Sequence, residues 1–337
     1  MKKRIGNIVR WLVTIGIFYY LFKYKVDASD IWQKVRNANW IWLCGAVALF
    51  GTTFCMGVYR WYLLLQSQDI HVPLRRVTAI CFVGQFFNAF LLGATGGDVI
   101  KSYYAAKQTQ THKAEAVMSV FVDRIIGLVG LFIIAIVMMA WQWRWLYDHP
   151  NLRVPSLVVL GLIVAVCAAI PLSFWRGLPN KFGWLNRLKS KIRFRDHISR
   201  ALDSYQGYLA RGPLLAKTVL LSMGVHTTIF IGVIFLGRGL NVEGIGWDKY
   251  FLILPMINTI ASMPISISGF GLREGMYTLM FGDLGVAANV AVALGLLSYA
   301  AQFFWSLVGG LVYMFWKHEP HMLQHAKEDL EKETGSQ

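Results

Sequence analysis

The chain has 337 residues, of which 56% are hydrophobic, 14% aromatic and only 15% charged. Soluble domains usually carry about 25% charged residues, so this composition excludes a soluble globule, a nucleic-acid-binding domain and a disordered segment. The 33 basic residues outnumber the 18 acidic residues and give a net charge of +15. We interpret this excess as a match to an anionic membrane surface rather than to a nucleic acid.

A bilayer core about 30 Å thick needs roughly 20 apolar residues per helix. Counted in this way, the sequence predicts eight hydrophobic segments, at about residues 8–22, 40–64, 77–97, 116–140, 155–174, 214–236, 250–272 and 286–316. The predicted class is an all-α polytopic membrane protein with a single integral membrane domain, 1–337. We interpret the first segment as a retained anchor, because its bulky aromatic residues suit a signal peptidase poorly.

Two of the segments contain residues that do not suit a lipid-facing helix. The third carries Asn88, Gly96 and Gly97, and the seventh carries Asn258 and Pro264. Backbone groups freed by glycine and proline must find partners in protein or in a water-filled cavity. We therefore expect six full spans and two broken, re-entrant segments, at 77–97 and 250–282.

The basic residues sort to one side if the amino terminus is cytoplasmic and both broken segments are re-entrant. Cytoplasmic stretches then hold 21 basic residues and outside stretches hold 8, as the positive-inside rule expects. Two full spans in their place would still leave a positive-inside bias, so charge alone does not decide. Both termini are expected in the cytoplasm, with a tail at 317–337 and a basic linker at 175–212. A more specific interpretation of that linker than a solvated loop is an interfacial helix on anionic lipid.

Each half of the chain consists of span, span, broken segment and span. The halves, 1–141 and 155–316, begin on opposite sides of the membrane. This order predicts an inverted repeat, as in many secondary transporters, where paired broken helices meet near the midplane and face the substrate. Coincidence is the alternative, because any eight-segment protein divides into two groups of four.

Few ionisable residues lie inside the apolar segments, where a charge costs at least about 2.5–3.5 kcal/mol. We interpret Arg60 as a structural cation that reaches the interface, and His226 as a hydrogen-bonded structural histidine. Asp123 and Arg124 are adjacent and project about 100° apart on a helix, so each is expected to meet a different partner. The expected partners are Asp98 or Glu274 for Arg124, and Lys101 or Arg273 for Asp123.

Glycine-rich turns at helix starts expose backbone N–H groups where the helix dipole favours an anion, and Arg and Lys add charge-assisted bonds. A lipid with a phosphate headgroup would suit such a cavity, although a network that only fixes the broken segments is a close alternative. The candidate substrate-binding residues are Asn88, Gly96, Gly97, Asp98, Lys101, Asp123, Arg124, Asn258, Ser268, Gly269, Gly271, Arg273 and Glu274. No catalytic residue, metal site or cofactor is predicted, since the cysteines have no ligand spacing and no P-loop is present.

Three motifs carry a resemblance to a known family. They are Phe87-Asn88 with Leu92-Gly93-Ala94-Thr95-Gly96-Gly97-Asp98, then Asp123-Arg124-Ile125-Ile126-Gly127-Leu128, and Met263-Pro264-Ile265-Ser266 with Gly269-Phe270-Gly271-Leu272-Arg273-Glu274-Gly275. The chain resembles the transmembrane region of lysylphosphatidylglycerol synthases, a flippase-like family of prokaryotic membrane proteins. The resemblance implies a stand-alone domain in the cytoplasmic (inner) membrane that moves a lipid to the outer leaflet. Leu92 departs from the proline expected there.

The leading hypothesis is a lipid flippase or transporter. Its partners would be a phospholipid or a polyprenyl-phosphate lipid, with an anionic membrane surface and no nucleic acid. Aminoacylated phosphatidylglycerol and a polyprenyl-phosphate-linked sugar are the cargoes that the resemblance implies. A membrane-embedded transferase and an accessory subunit of an envelope lipid synthesis complex are the alternatives. Without a nucleotide site, transport would follow a lipid gradient or couple to ions, and assembly as a homo-oligomer stays open.

Overall fold

A computed structural model describes residues 14–17, 19–21, 23, 26, 28–90, 96–109, 111–174, 207–208, 211–263, 265–266 and 269–316, with side chains left out at 169–174. Its helices are Ala28–Arg36 (α1), Trp40–Gln66 (α2), Leu74–Phe90 (α3), Gly96–Lys107 (α4), Lys113–Trp141 (α5), Trp143–Asp148 (α6), Pro150–Phe174 (α7), Gly212–Gly239 (α8), Trp247–Ala261 (α9), Leu272–Gly282 (α10) and Ala288–Phe315 (α11). No strand occurs in these ranges.

Five of these helices, α2, α5, α7, α8 and α11, are long and apolar enough to cross a membrane. They agree with five of the predicted spans to within about five residues at either end, so the all-helical, multi-pass membrane class is confirmed. At 1.5 Å per residue, helices of 27 to 29 residues reach about 40 Å, more than the hydrocarbon core requires. The predicted first span is only partly described, and the tail and nearly all of the basic linker lie outside the described residues.

The third predicted segment folds as two antiparallel helices, α3 and α4, which we call the first hairpin. At its open end, Arg76 Nη1 donates to Gln108 Oε1 at 3.2 Å. At its tip, the backbone N–H of Gly97 donates to Asn88 Oδ1 at 2.8 Å. A Cβ on Gly97 would collide with the carbonyl oxygen of Gly84, so the close approach requires glycine. The chain therefore turns back on itself, and the second arm extends ten residues beyond the predicted segment, to Lys107.

The seventh predicted segment forms the second hairpin, α9 and α10. The Tyr250 ring near the start of α9 packs on Phe281 near the end of α10, with ring centroids 5.4 Å apart. At the tip, Gly269 lies against the carbonyl oxygen of Ala261. Gly269 and Gly271 have φ angles of 81° and 77°, which side-chain-bearing residues rarely adopt. Glycine is thus required at both positions of this turn.

Helix α11 supports both hairpins. Gly309 brings the α11 backbone against the carbonyl of Phe82 in the first hairpin, and Gly295 lies beside Glu274 in the second. The tips are also joined by a row of rings, which we call the aromatic ladder. Its successive rings are Phe90, Phe303, Tyr299 and Phe270, with centroid separations of 5.6, 6.1 and 4.2 Å. The same helix therefore positions both tips.

Candidate functional site

A single carboxylate, Asp123 on α5, holds two cations from different helices. Arg60 Nε of α2 donates to Oδ1 at 2.8 Å, and Lys101 Nζ of α4 donates to Oδ2 at 3.2 Å. Arg60 and Asp123 are 9% and 8% exposed. Because both oxygens of one carboxylate are shared between two cations, this cluster carries one positive charge in excess.

Lys101 is positioned by aromatic and hydroxyl groups as well as by Asp123. Its ammonium nitrogen lies 4.1 Å from the centre of the fully buried Trp61 ring, within cation–π range. Trp61 Nε1 donates to Ser119 Oγ at 3.0 Å, and that hydroxyl donates to the carbonyl of Ala116 at 2.7 Å. The lysine head group is therefore fixed through contacts that end on the backbone of α5.

The prediction for Arg60 is wrong, whereas that for His226 is confirmed. Arg60 is buried instead of reaching outward, and its guanidinium lies between Asp123 and Gly127. His226 Nε2 is 3.0 Å from the carbonyl oxygen of Gly127, to which Ser222 Oγ also donates at 3.2 Å. The histidine thus links α8 to α5. Arg60 is the site residue that sequence analysis missed.

Arg124 forms an ion pair with Asp98 in the first turn of α4. Their side chains are 43% and 21% exposed, so this pair is more open to its surroundings than the one at Asp123. The helix dipole also favours a carboxylate at the start of α4. The expectation that Asp123 and Arg124 meet different partners is confirmed, with Lys101 and Asp98 as the partners among the predicted pairs.

The first hairpin, α2 and α5 line a partly open cavity of about 220 Å³. Its lining includes the polar residues Asn88, Asp98, Lys101 and Asp123, beside surface from helix α2, whereas Arg60 and Arg124 are not lining residues. Since a water takes about 30 Å³ in the liquid, the cavity has room for roughly seven waters. It is large enough for a phosphate-bearing headgroup and places the shared carboxylate on its wall.

The other candidate residues gather at the tip of the second hairpin. Glu274 Oε2 accepts a hydrogen bond from the N–H of Gly271 at 2.7 Å. The Arg273 guanidinium carbon lies 5.8 Å from the centre of the Tyr299 ring and beside Gly269. None of these residues lines the cavity described above. The predicted site is therefore divided between the two hairpins.

Of the three remaining candidates, Gly96 and Asn258 have described positions but no charge to contribute. Gly96 is the first residue of α4, where its backbone N–H belongs to the helix start. Asn258 is partly buried in the last turn of α9, and its carbonyl accepts from the N–H of Ser262. Ser268 lies outside the described residues.

Five apolar helices, two hairpins with glycine at their tips and a buried charge cluster define, in the described part of the chain, a polytopic helical membrane protein with polar groups between its helices. The sequence profile of the family described as Lysylphosphatidylglycerol synthase TM region matches residues 7–310. The chain belongs to this family, which confirms the resemblance found in its motifs.

Two relatives extend over most of the chain. A UPF0104 membrane protein of Methanothermobacter thermautotrophicus is 20% identical over 344 residues, covering 93% of each chain. A UPF0104 membrane protein of Pyrococcus horikoshii is 22% identical over 294 residues, covering 80% of this chain and 85% of the relative. The similarity therefore includes both hairpins.

Proposed function

We propose that this protein moves a phosphate-containing lipid between the two leaflets of the membrane. The observation that carries the proposal is the carboxylate of Asp123, shared by Arg60 and Lys101 on the wall of a cavity. With Arg124 and Asp98 included, three cations face two carboxylates, so a headgroup with one negative charge would balance the site.

A phosphate in the cavity would find a donor that is already oriented. Lys101 lines the cavity and is held in place by Asp123 and by the Trp61 ring. Arg60 does not line the cavity, but it pairs with the other oxygen of Asp123 and so positions that carboxylate. Charge-assisted bonds from such groups are roughly twice as strong as neutral ones. The start of α4 adds the favourable end of a helix dipole. The acyl chains stay in lipid outside the protein, where the Phe90 ring at the hairpin tip is 53% exposed.

An inverted repeat with halves 1–141 and 155–316 is part of the proposal. It makes α2 equivalent to α8, α3 to α9, α4 to α10 and α5 to α11. The contacts are consistent with this exchange, because α2 packs on α8, the first hairpin packs on α11 and the second packs on α5. In such repeats the paired broken helices form the substrate pathway.

We propose a prokaryotic cytoplasmic (inner) membrane as the location, with both termini in the cytoplasm. A cysteine at position 107, in a background without the native cysteines, then reacts with an impermeant reagent only from the cytoplasmic side. A cysteine at position 76 should behave in the same way, because the two arms of the first hairpin end together. Labelling of position 107 only from outside would contradict this orientation.

Transport is tested in vesicles that contain the purified protein and fluorescent phosphatidylglycerol, with leaflet exchange followed by chemical quenching. Arg60→Ala and Lys101→Ala are expected to slow exchange about 10- to 100-fold, since a lost bond to a charged group costs roughly 1.5–3 kcal/mol. Lys107→Ala is the matched control, because this cation on the same helix is exposed. Folded variants of Arg60 and Lys101 that exchange lipid at the parent rate would contradict the site.

We propose transport rather than catalysis. The same purified protein in detergent, without a second leaflet, separates the two functions. Conversion of a lipid-linked substrate under these conditions would favour a membrane-embedded transferase. Neither movement nor conversion of lipid would favour an accessory subunit of a lipid synthesis complex.

A further inference from the structure

Glu274 of the second hairpin is a buried carboxyl group that the headgroup site does not use. The residue is 1% exposed. Its Oε2 accepts from the backbone N–H of Gly271, while Oε1 is buried and has no hydrogen-bond partner among the described residues. A buried carboxylate oxygen without a donor or a cation is strongly unfavourable. This carboxyl group therefore has a reason to hold a proton.

The neighbouring cation does not neutralise Glu274. The Arg273 guanidinium lies over the Tyr299 ring of α11, and its Nε has no hydrogen-bond partner within the described part of the chain. Asp98 and Asp123 differ in this respect, because each has a cation at ion-pair distance. Glu274 is thus the carboxyl group of the two hairpin tips whose charge is least compensated.

The remaining titratable groups near Glu274 are phenols. Tyr277 on α10 has its hydroxyl 3.5 Å from Ser298 Oγ on α11, and Tyr299 of α11 faces the same tip. Helix α9 contributes Tyr250, which packs at the opposite end of α10. Helix α7 meets that opposite end through Asn151, which donates to Asp283. None of these groups supplies a positive charge to Oε1.

We propose that Oε1 of Glu274 binds and releases a proton during each transport cycle and so couples lipid movement to a proton gradient. The inference rests on the proposed transport function. Binding adds one proton from water to the carboxylate, and release returns it to water on the other side, so no further reactant is required. Gly271, whose N–H binds the carboxyl group, also lies against Thr14 and Ile17.

Proton binding is tested without transport, by infrared spectroscopy of the purified protein over a wide pH range. The wild-type spectrum is expected to contain the carbonyl stretch of a protonated carboxyl group that disappears at high pH and is missing in Glu274→Gln. Asp148→Asn, which removes an exposed carboxylate, should retain it. A wild-type spectrum that lacks this band at every pH, or keeps it at every pH, would overturn the proposal.

Coupling is tested in the vesicle assay with and without a pH gradient. At one proton per lipid, a gradient of one pH unit supports up to about tenfold accumulation in one leaflet, because one unit is a tenfold ratio of protons. Glu274→Gln is expected to abolish this accumulation, whereas Asp148→Asn should preserve it. Wild-type protein that moves lipid equally with and without the gradient overturns the coupling and leaves the transport proposal intact. Wild-type protein that moves no lipid overturns both.

Discussion

Both hairpins consist of two antiparallel helices, but the carboxylates near their tips are compensated differently. At the first, Asp123 and Asp98 each have a cation at ion-pair distance, and the surplus cation faces a cavity. At the second, Glu274 is more deeply buried and has a backbone N–H as its sole described partner. The tip of a broken helix can therefore carry ion pairs, or a single acid that a proton can neutralise. Which of the two occurs depends on the side chains around the tip.

This difference suggests separate tasks for the two halves. A site whose charges are already oriented, with one cation in surplus, can accept a headgroup with little rearrangement. A buried acid without a cation changes its charge when water reaches it. Measurements of the stability of variants can test whether the two tips differ in this way.

The largest expected effect is that of Asp123→Ala. Without the shared carboxylate, Arg60 and Lys101 remain buried beside each other, and breaking a buried pair typically costs about 3–5 kcal/mol. The free energy of unfolding in detergent, measured by denaturant titration, should fall by that amount. Asp98→Ala is the comparison, because Asp98 pairs with one cation rather than two and that pair is more open to its surroundings, so a smaller loss is expected. Equal losses would contradict the contrast between the two pairs.

A smaller effect is expected at the tip of the first hairpin. Gly97→Ala places a methyl group against the carbonyl oxygen of Gly84, and such overpacking typically costs about 1–3 kcal/mol. The midpoint temperature of thermal unfolding and the rate of lipid exchange should both be lower than in the parent. The control is Gly161→Ala in α7, where a Cβ meets nothing within 4 Å and alanine is favoured in a helix. A neutral Gly97→Ala would show that the hairpin tip is looser than described.

The smallest expected effect concerns the turn of the second hairpin. Gly271→Ala must adopt a φ of 77°, at a cost of about 1–2 kcal/mol, and its Cβ would lie 3.2 Å from that of Ile17. Gly275→Ala tests the conformational part, because its Cβ would lie 3.8 Å from Ile17 in regular helix. In thermal melts followed by circular dichroism, the parent and Gly275→Ala should have similar midpoint temperatures. That of Gly271→Ala should be lower. The reverse order would mean that the turn has another conformation.

The apolar helices and the breaks could be predicted from sequence because both depend on local composition. Runs of about 20 apolar residues predicted α2, α5, α7, α8 and α11, and glycine with polar residues predicted the hairpin tips. The length of the second arm of the first hairpin was underestimated. Lys101 and Lys107 follow Asp98, and their charges suggest a loop in the sequence. In the structure, Lys101 pairs with Asp123 inside the protein.

The role of Arg60 could not be predicted, because its partner Asp123 is 63 residues away. Length counting ended the span at residue 64, which made Arg60 a terminal cation, whereas α2 runs to Gln66 and packs against α5. The short helices α1 and α6 were missed for a simpler reason. They have 9 and 6 residues, too few for a search based on the thickness of a bilayer.

The contacts of α11 determine how the two tips can influence each other. Phe303, which packs on Phe90 of the first tip, and Tyr299, which packs on Phe270 of the second, are four positions apart on α11, or about 6 Å along the helix. Because both tips pack on neighbouring turns of one helix, a change at one tip can reach the other as movement of that helix and its attached rings. Helix α11 thus connects the two tips mechanically, and its stiffness determines how closely the two halves move together.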